Sequence, residues 1–249
     1  MKLTDVIILS IVQGISEWLP VSSSGHLVLF RHLINLNGDV SFDIFLHFSA
    51  LFVILVFFWK DIQNIFKGLK TDRKSQDSRL LLYIILATIP TGILGLFLRK
   101  YMDSLATVKT ISFTLLITSL LLFASAIRSK NRKITIGKAL FIGLMQGFAL
   151  LPGISRSGAT ISAGKMAGLS NEESFRFSFL LAVPAITGAI VLEARKITSL
   201  PIPFLIIGFF ASFLLGLISL FFLRKILVKD KFYLFGVYTL FLSIILFLL

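Results

Sequence analysis

Two polar segments interrupt an otherwise apolar chain, and they are near copies of each other. The first reads Gln13-Gly14-Ile15-Ser16-Glu17-Trp18-Leu19-Pro20-Val21-Ser22-Ser23-Ser24-Gly25-His26. The second reads Gln146-Gly147-Phe148-Ala149-Leu150-Leu151-Pro152-Gly153-Ile154-Ser155-Arg156-Ser157-Gly158-Ala159-Thr160. Each opens Gln-Gly, passes through a proline and closes Ser-Gly, with 12 positions from the Gln to that Gly. A broken backbone inside lipid finds no water to bond, so it is tolerated only where protein buries it or where it lines a cavity. The two segments therefore imply one buried polar site assembled from two halves of the chain.

The medium around them follows from composition. The 249 residues are 56% hydrophobic, with a mean hydropathy of +0.94. Apolar runs of about 20 residues read as membrane helices. Six such runs are expected, at roughly 42–59, 79–98, 109–127, 175–194, 201–223 and 232–249. The stretches 3–30 and 135–165 are also apolar, but Pro, Gly and Ser break each near its middle. They are expected to be re-entrant helix–loop–helix hairpins, entering and leaving on one side. The fold expected is thus all-α and integral to the membrane, with six transmembrane helices and two hairpins in a single domain.

The order hairpin, three spans, hairpin, three spans divides the chain into halves 1–130 and 131–249. The two Gln-Gly pairs lie 133 apart. Three spans per half is an odd number, so the second half enters the bilayer upside down, the inverted-topology repeat whose site lies between the halves. Loop charge fixes the orientation. One side collects 17 Lys and Arg and the other 7, and the richer side is expected to be cytoplasmic. Both termini then lie outside the cytoplasm, and the hairpin tips meet near mid-membrane. The N-terminus does not read as a cleaved signal peptide.

The net charge of +13 sits in short loops, where it meets anionic lipid headgroups rather than nucleic acid. Without cysteine, disulfides and thiolate metal sites are excluded. Neither a phosphate-binding Walker loop nor a nucleophile elbow is present.

Glu17 is the most informative residue, because a carboxylate amid Ile, Trp and Leu inside a membrane is by default functional. It could serve as base, metal ligand or proton carrier. Arg156 is its counterpart in the second segment, with a permanently charged donor fork suited to phosphate or to a resting ion pair with Glu17. Ser22, Ser23, Ser24, Ser155, Ser157 and Thr160 add hydroxyls beside glycines and helix starts, a composition suited to an anion. Some of these serines are expected to be helix caps. His26 is a candidate proton donor or acceptor, and His47 could face the same cavity. Gln13 and Gln146 are expected to bond the broken backbones, and Asp43 and Glu193 to lie at the interface.

These motifs resemble those of the bacterial undecaprenyl pyrophosphate phosphatases, also called bacitracin resistance proteins. That family pattern is (Glu/Gln)-x3-Glu, then Pro-x-Ser-Ser-x-(Gly/Ala)-His, then Pro-Gly-x-Ser-Arg-Ser-x2-Thr. It matches Gln13 to Glu17, Pro20 to His26 and Pro152 to Thr160, and covers essentially the whole chain. The first position is Gln13 rather than Glu, which removes one acidic candidate for metal binding.

The resemblance implies hydrolysis of undecaprenyl pyrophosphate to the monophosphate and inorganic phosphate in the bacterial plasma membrane. That reaction recycles the lipid carrier for peptidoglycan and gives resistance to bacitracin, which sequesters the same substrate. It further implies a divalent cation, magnesium or calcium, and an opening on the outer face. On this reading Glu17, Ser23, His26 and Arg156 are catalytic, and Glu17 holds the metal. The phosphates lie on Ser22, Ser24, Ser155, Arg156, Ser157 and Thr160, and the nucleophile is Ser23 or a water. The sequence is compatible with a homodimer. The rival reading is a flippase of undecaprenyl phosphate, since inverted repeats with broken helices also build transporters.

Overall fold

Inside lipid every backbone group must be paired within the protein, so the chain is left with helices and with short turns that other groups can satisfy. A computed structural model describes residues 1–36, 41–72, 75–126, 131–193 and 200–248. Among these the regular structure is helical, with no strand. The helices are α1 (Leu3–Ser16), α2 (Ser23–Leu33), α3 (Ser41–Phe57), α4 (Trp59–Thr71), α5 (Gln76–Leu98) and the short α6 (Met102–Leu105). They continue with α7 (Val108–Ala124), α8 (Ile136–Phe148), α9 (Arg156–Met166), α10 (Asn171–Glu193), α11 (Ile202–Val228) and α12 (Leu234–Leu248).

Helix starts coincide with capping residues. Ser22, Ser75, Thr107 and Ser155 each accept a backbone N–H three residues on, satisfying donors that have no partner in the first turn. Pro90 and Pro184 lie inside α5 and α10, where each removes one backbone hydrogen bond.

Each of the six expected spans coincides with a helix: α3, α5, α7, α10, α11 and α12. Length separates them. Gln76–Tyr101, α10 and α11 are long and apolar enough to cross a bilayer, whereas α3 reaches that only together with α4, across a 67° bend. Helices α7 and α12 have 17 and 15 residues, at or below the lower end of what a crossing needs.

Two expected loops are not loops. The Lys-rich stretch 60–79 contains α4, an amphipathic helix whose Ile62 and Ile65 turn inward while Lys60, Lys67 and Lys70 point away. The stretch 99–109 contains a 3₁₀ turn at Arg99–Tyr101 and α6.

The two interrupted stretches are helix pairs, α1 with α2 and α8 with α9. Ile136 stands 133 positions after Leu3, and Arg156 stands 133 after Ser23, so matching helices start in register. Packing is exchanged between the halves of the chain: α1 lies on α11, α8 on α5 and α7 on α12. In the last pair Ser112 and Ser243 each donate to the other's carbonyl, at 2.9 and 2.7 Å.

Small residues permit this closeness. A Cβ added to Gly143 would lie 2.0 Å from the Ala87 carbonyl oxygen, so α8 touches α5 backbone to backbone there. Six residues closer to the start of the same helix, Gly137 faces open space. An aromatic cluster of Trp18, Phe58, Phe175 and Phe179 packs beneath the first hairpin, with ring centroids 4.9 to 6.0 Å apart.

The pair of glycines in α8 gives a controlled test. Gly143→Ala is expected to destabilise the protein by about 1–3 kcal/mol through overpacking, while Gly137→Ala is expected to be neutral or mildly stabilising. Thermal unfolding of both purified variants in detergent checks this, and equal melting temperatures would refute the close contact.

Candidate active site

Each hairpin turn is built by its own side chains. The first leaves α1 at Glu17, whose N–H donates to the Gln13 carbonyl at 3.0 Å, and enters α2 through Ser22. Ser22 has φ +70, a positive value that L side chains rarely adopt, and its hydroxyl accepts the Gly25 N–H at 3.2 Å. The second turn uses Gly153, at φ +92, and Ser155, whose hydroxyl accepts the Gly158 N–H at 3.1 Å.

Helix α7 holds the second turn from the side. Thr114 donates to the Pro152 carbonyl at 2.6 Å and Thr118 to the Gly153 carbonyl at 3.0 Å. Thr118 also accepts the Ser155 N–H at 3.1 Å. The turns meet each other directly, because the Gly153 N–H donates to the Ser24 hydroxyl at 3.3 Å. Helices α2 and α9 therefore start at one place, with the positive ends of their dipoles there.

The charges sit at this junction. Glu17 is only 8% exposed. Its Oε1 accepts from Nη2 of Arg156 at 2.8 Å, and its Oε2 accepts from Ser23 Oγ at 2.6 Å and from Gln13 Nε2 at 3.3 Å. The carboxylate thus ties α1, the start of α2 and, 139 residues away, the start of α9. Arg156 is not satisfied in return: its Nη1 is buried without a hydrogen-bond partner, and its Cζ lies 5.7 Å from the centre of the Phe179 ring. The Gln13 Oε1, beside the carboxylate, is likewise buried and unpartnered.

His26 is held on both ring nitrogens. Nδ1 is 2.8 Å from the Ser22 carbonyl, and Nε2 is 2.7 Å from the Tyr238 hydroxyl. A carbonyl only accepts, so Nδ1 carries the proton and Nε2 is the basic nitrogen, receiving the Tyr238 O–H. His47, on α3, bonds the Asp43 carbonyl at 2.8 Å.

The structure therefore brings Glu17, Ser23, Ser24 and Arg156 together, with Ser22 and Ser155 as caps and Ser157 sharing a hydrogen bond with Ser155. Thr160 lies a turn further along α9. It is fully buried, with its hydroxyl on the Arg156 carbonyl and on Ser178. Gln146 donates to Thr91 and Leu181. Asp43, expected at the interface, makes a two-pronged ion pair with the buried Arg31, at 2.6 and 3.0 Å.

Sequence reasoning missed Thr114, Thr118, Ser178 and Tyr238. The spacing of Thr114 and Thr118, four apart in an apolar helix, was the one available signal. Among the described residues no three His, Asp or Glu side chains converge as a metal cluster. A cation would therefore depend on Glu17, the unpartnered Gln13 oxygen and oxygens of a ligand, a donor set that suits a hard divalent ion.

An all-helical, multi-pass membrane chain that joins an Arg–carboxylate pair and two helix starts at paired hairpins is equipped to handle an anion within the membrane. Residues 6–245 match the family described as bacitracin resistance protein BacA, and the chain belongs to that family. It is 42% identical to an undecaprenyl-diphosphatase of Thermosipho africanus, over 97% of this chain and 98% of the relative. It is 39% identical to that of Korarchaeum cryptofilum, over 96% and 95%, and 39% identical to that of Halothermothrix orenii, over 96% and 94%.

The α7 threonines give a test of how the site is held. Thr118→Val keeps the shape but leaves the Ser155 N–H and the Gly153 carbonyl unpaired. It is expected to lower unfolding stability by about 1–3 kcal/mol, read as a lower melting temperature in detergent, with Ser112→Ala as a comparison at the far side of α7.

Proposed function

We propose that this chain is an undecaprenyl-diphosphatase, releasing inorganic phosphate from a polyprenyl diphosphate and leaving the monophosphate in the membrane. The observation that carries this is the buried, unpartnered Nη1 of Arg156 at the joint start of α2 and α9. A donor left bare beside a carboxylate is poised for an anion that brings its own oxygens.

On this reading the terminal phosphate takes Arg156 and the loop N–H groups, with Ser24 at its edge. Ser23 Oγ already donates to Glu17, which is placed to take its proton. Oγ attacks the terminal phosphorus, an Oγ–P bond forms, and the bond from phosphorus to the bridging oxygen breaks. Undecaprenyl phosphate leaves. Water then attacks the phosphoserine phosphorus, its proton passing through the Tyr238 hydroxyl to the basic Nε2 of His26; the Oγ–P bond breaks, Glu17 returns its proton to Oγ, and inorganic phosphate leaves with Ser23 restored. Thr160, through the Arg156 carbonyl, Ser157 and Ser22 position the turns. Gln13 and Glu17 would hold magnesium or calcium. When bound, the cation offsets negative charge on the phosphoryl oxygens.

The finer architecture is part of the same proposal. The 133-residue register of the helix starts and the exchanged packing of α1 on α11 and α8 on α5 support two inverted halves, 1–130 and 131–249, with six crossings and two re-entrant hairpins. The loop charges support a plasma-membrane protein with both termini and the site opening outside the cytoplasm. A homodimer is compatible with this arrangement.

Phosphate release from undecaprenyl diphosphate by purified protein is the test. Arg156→Ala and Glu17→Gln are each expected to lower turnover at least about 100-fold, the scale for removing one charge-stabilising group. Arg156→Lys is expected to recover little, because a point charge does not replace the fork. Ser23→Ala is expected to fall as far, and retention of wild-type turnover by that variant would assign the attack to water instead.

Chelation of divalent cations is expected to stop release, and added magnesium or calcium to restore it. Gln13→Ala is expected to raise the cation concentration needed for half-maximal rate. Full activity in chelator would remove the metal from the scheme.

A further inference from the structure

The described helices leave one long crevice unfilled, between α5 and α10. Its first part is a cavity of about 340 Å³ reaching from His47 and Leu150 to Arg99 and Leu192. Its second part is a groove of about 980 Å³ continuing along α5 and α10 to α4, walled by residues such as Ile62, Ile85, Ile89 and Val183. The two parts share Thr88, Gly92, Pro184 and Gly188, so they run into each other. Each is of the size that ligand pockets take.

The comparable crevice between α3 and α11 is closed by aromatic rings. Phe48 and Phe52 of α3 pack on Phe209 of α11 at 6.4 and 5.4 Å, and Phe209 stacks on Phe213. Between α5 and α10 the wall is Gly92, Ala185 and Gly188, with Ala185 standing 133 positions after Phe52. A Cβ at Gly92 or Gly188 would meet nothing within 4 Å. Glycine inside a helix costs about 1 kcal/mol relative to alanine, and neither backbone conformation nor a packed neighbour accounts for it here. What these glycines preserve is empty width.

The crevice also reaches the candidate active site. Leu150, in its wall, belongs to the turn that leads to Arg156. Thr91, also on its wall, accepts from Gln146 of the second hairpin. An occupant lying in the crevice has one end beside the second hairpin.

We propose that this crevice seats the isoprenoid chain of the lipid diphosphate, with its head at the hairpins and its hydrocarbon laid along α5 and α10 past Gly92 and Gly188. This rests on the diphosphatase reading above. A methyl-branched hydrocarbon offers no hydrogen bonds, and the groove towards α4 asks for none, since its wall is chiefly Ile, Leu, Val and Gly with the Thr88 and Thr187 hydroxyls bonded to carbonyls of their own helices. The chain then contributes binding energy at a distance from the reacting phosphorus.

The test pairs substrates that share a head and differ in tail. Purified wild-type protein and a Gly92→Leu/Gly188→Leu variant are assayed for phosphate release from undecaprenyl diphosphate and from farnesyl diphosphate. The variant is expected to raise KM for the long substrate about tenfold, equivalent to about 1.4 kcal/mol, and to leave kcat/KM for the short one unchanged. An unchanged KM for the long substrate, or equal losses on both, would overturn the tail seat while leaving the diphosphatase reading intact. No release from either substrate by the wild-type protein would instead remove that reading.

A second measurement uses the unsubstituted protein and so does not depend on the variant folding. An undecaprenyl diphosphate analogue with a photoactivatable tail is expected to label α5 and α10, and unlabelled substrate is expected to suppress that labelling. Labelling confined to other helices, or suppressed equally by phospholipid vesicles, shows a bilayer chain in the crevice and overturns the proposal.

Discussion

A chain that turns back inside an apolar medium exposes backbone groups that no water can reach, and the architecture is arranged around satisfying them. The first turn bonds itself, through Ser22 and the i−4 carbonyls. The second does so only in part, through Ser155 and its own backbone, and leaves the Pro152 and Gly153 carbonyls and the Ser155 amide to be met from outside. Helix α7 supplies Thr114 and Thr118 to meet them. That requirement fixes α7 against the hairpins, and α7 in turn fixes α12, which brings Tyr238 to His26. The polar site and the helix packing are one network.

Within that network the Glu17–Arg156 pair has an imbalance that bears on its use. The carboxylate is saturated by a guanidinium, a hydroxyl and an amide. The guanidinium keeps a buried donor without partner. A purely structural ion pair in a low-dielectric interior is stabilising only when both members are fully bonded. The shortfall on Arg156 is tolerable if the pair is a resting state completed by an anionic ligand. The same logic applies to the Gln13 oxygen, which is buried without a donor while the nitrogen of the same amide bonds Glu17, an oxygen a cation could take up.

Much of this was legible in the chain. The six apolar helices and both hairpins follow from apolar runs and from Pro, Gly and Ser breaks, and Glu17 with Arg156 follows from matching two motifs. What was not legible depends on distance along the chain. Tyr238 lies 212 residues from His26, and no local pattern marks one tyrosine of an apolar helix as a partner. The partner of Asp43 was hidden because Arg31 belongs to a different helix. Helix α4 was hidden for another reason: its lysines register as loop charge, while its apolar face becomes visible only when Ile62 and Ile65 are seen to be buried. The caps Ser22 and Ser155 were anticipated as a class, but which serines cap and which face Glu17 is decided by the handedness of each turn.

The two hairpins match in register but differ in chemistry, and the differences are distributed in complementary fashion. One tip carries the carboxylate and the serine, the other the guanidinium. Neither tip alone holds a compensated charge, so folding of each half requires the other. The crevices flanking them differ too, one filled by phenylalanines and one lined by glycine and alanine. A duplicated scaffold that kept both crevices alike would present a substrate with two equivalent seats and one set of reacting groups. Filling one and clearing the other commits a long apolar ligand to a single side, and with it the direction from which its head meets Glu17 and Ser23.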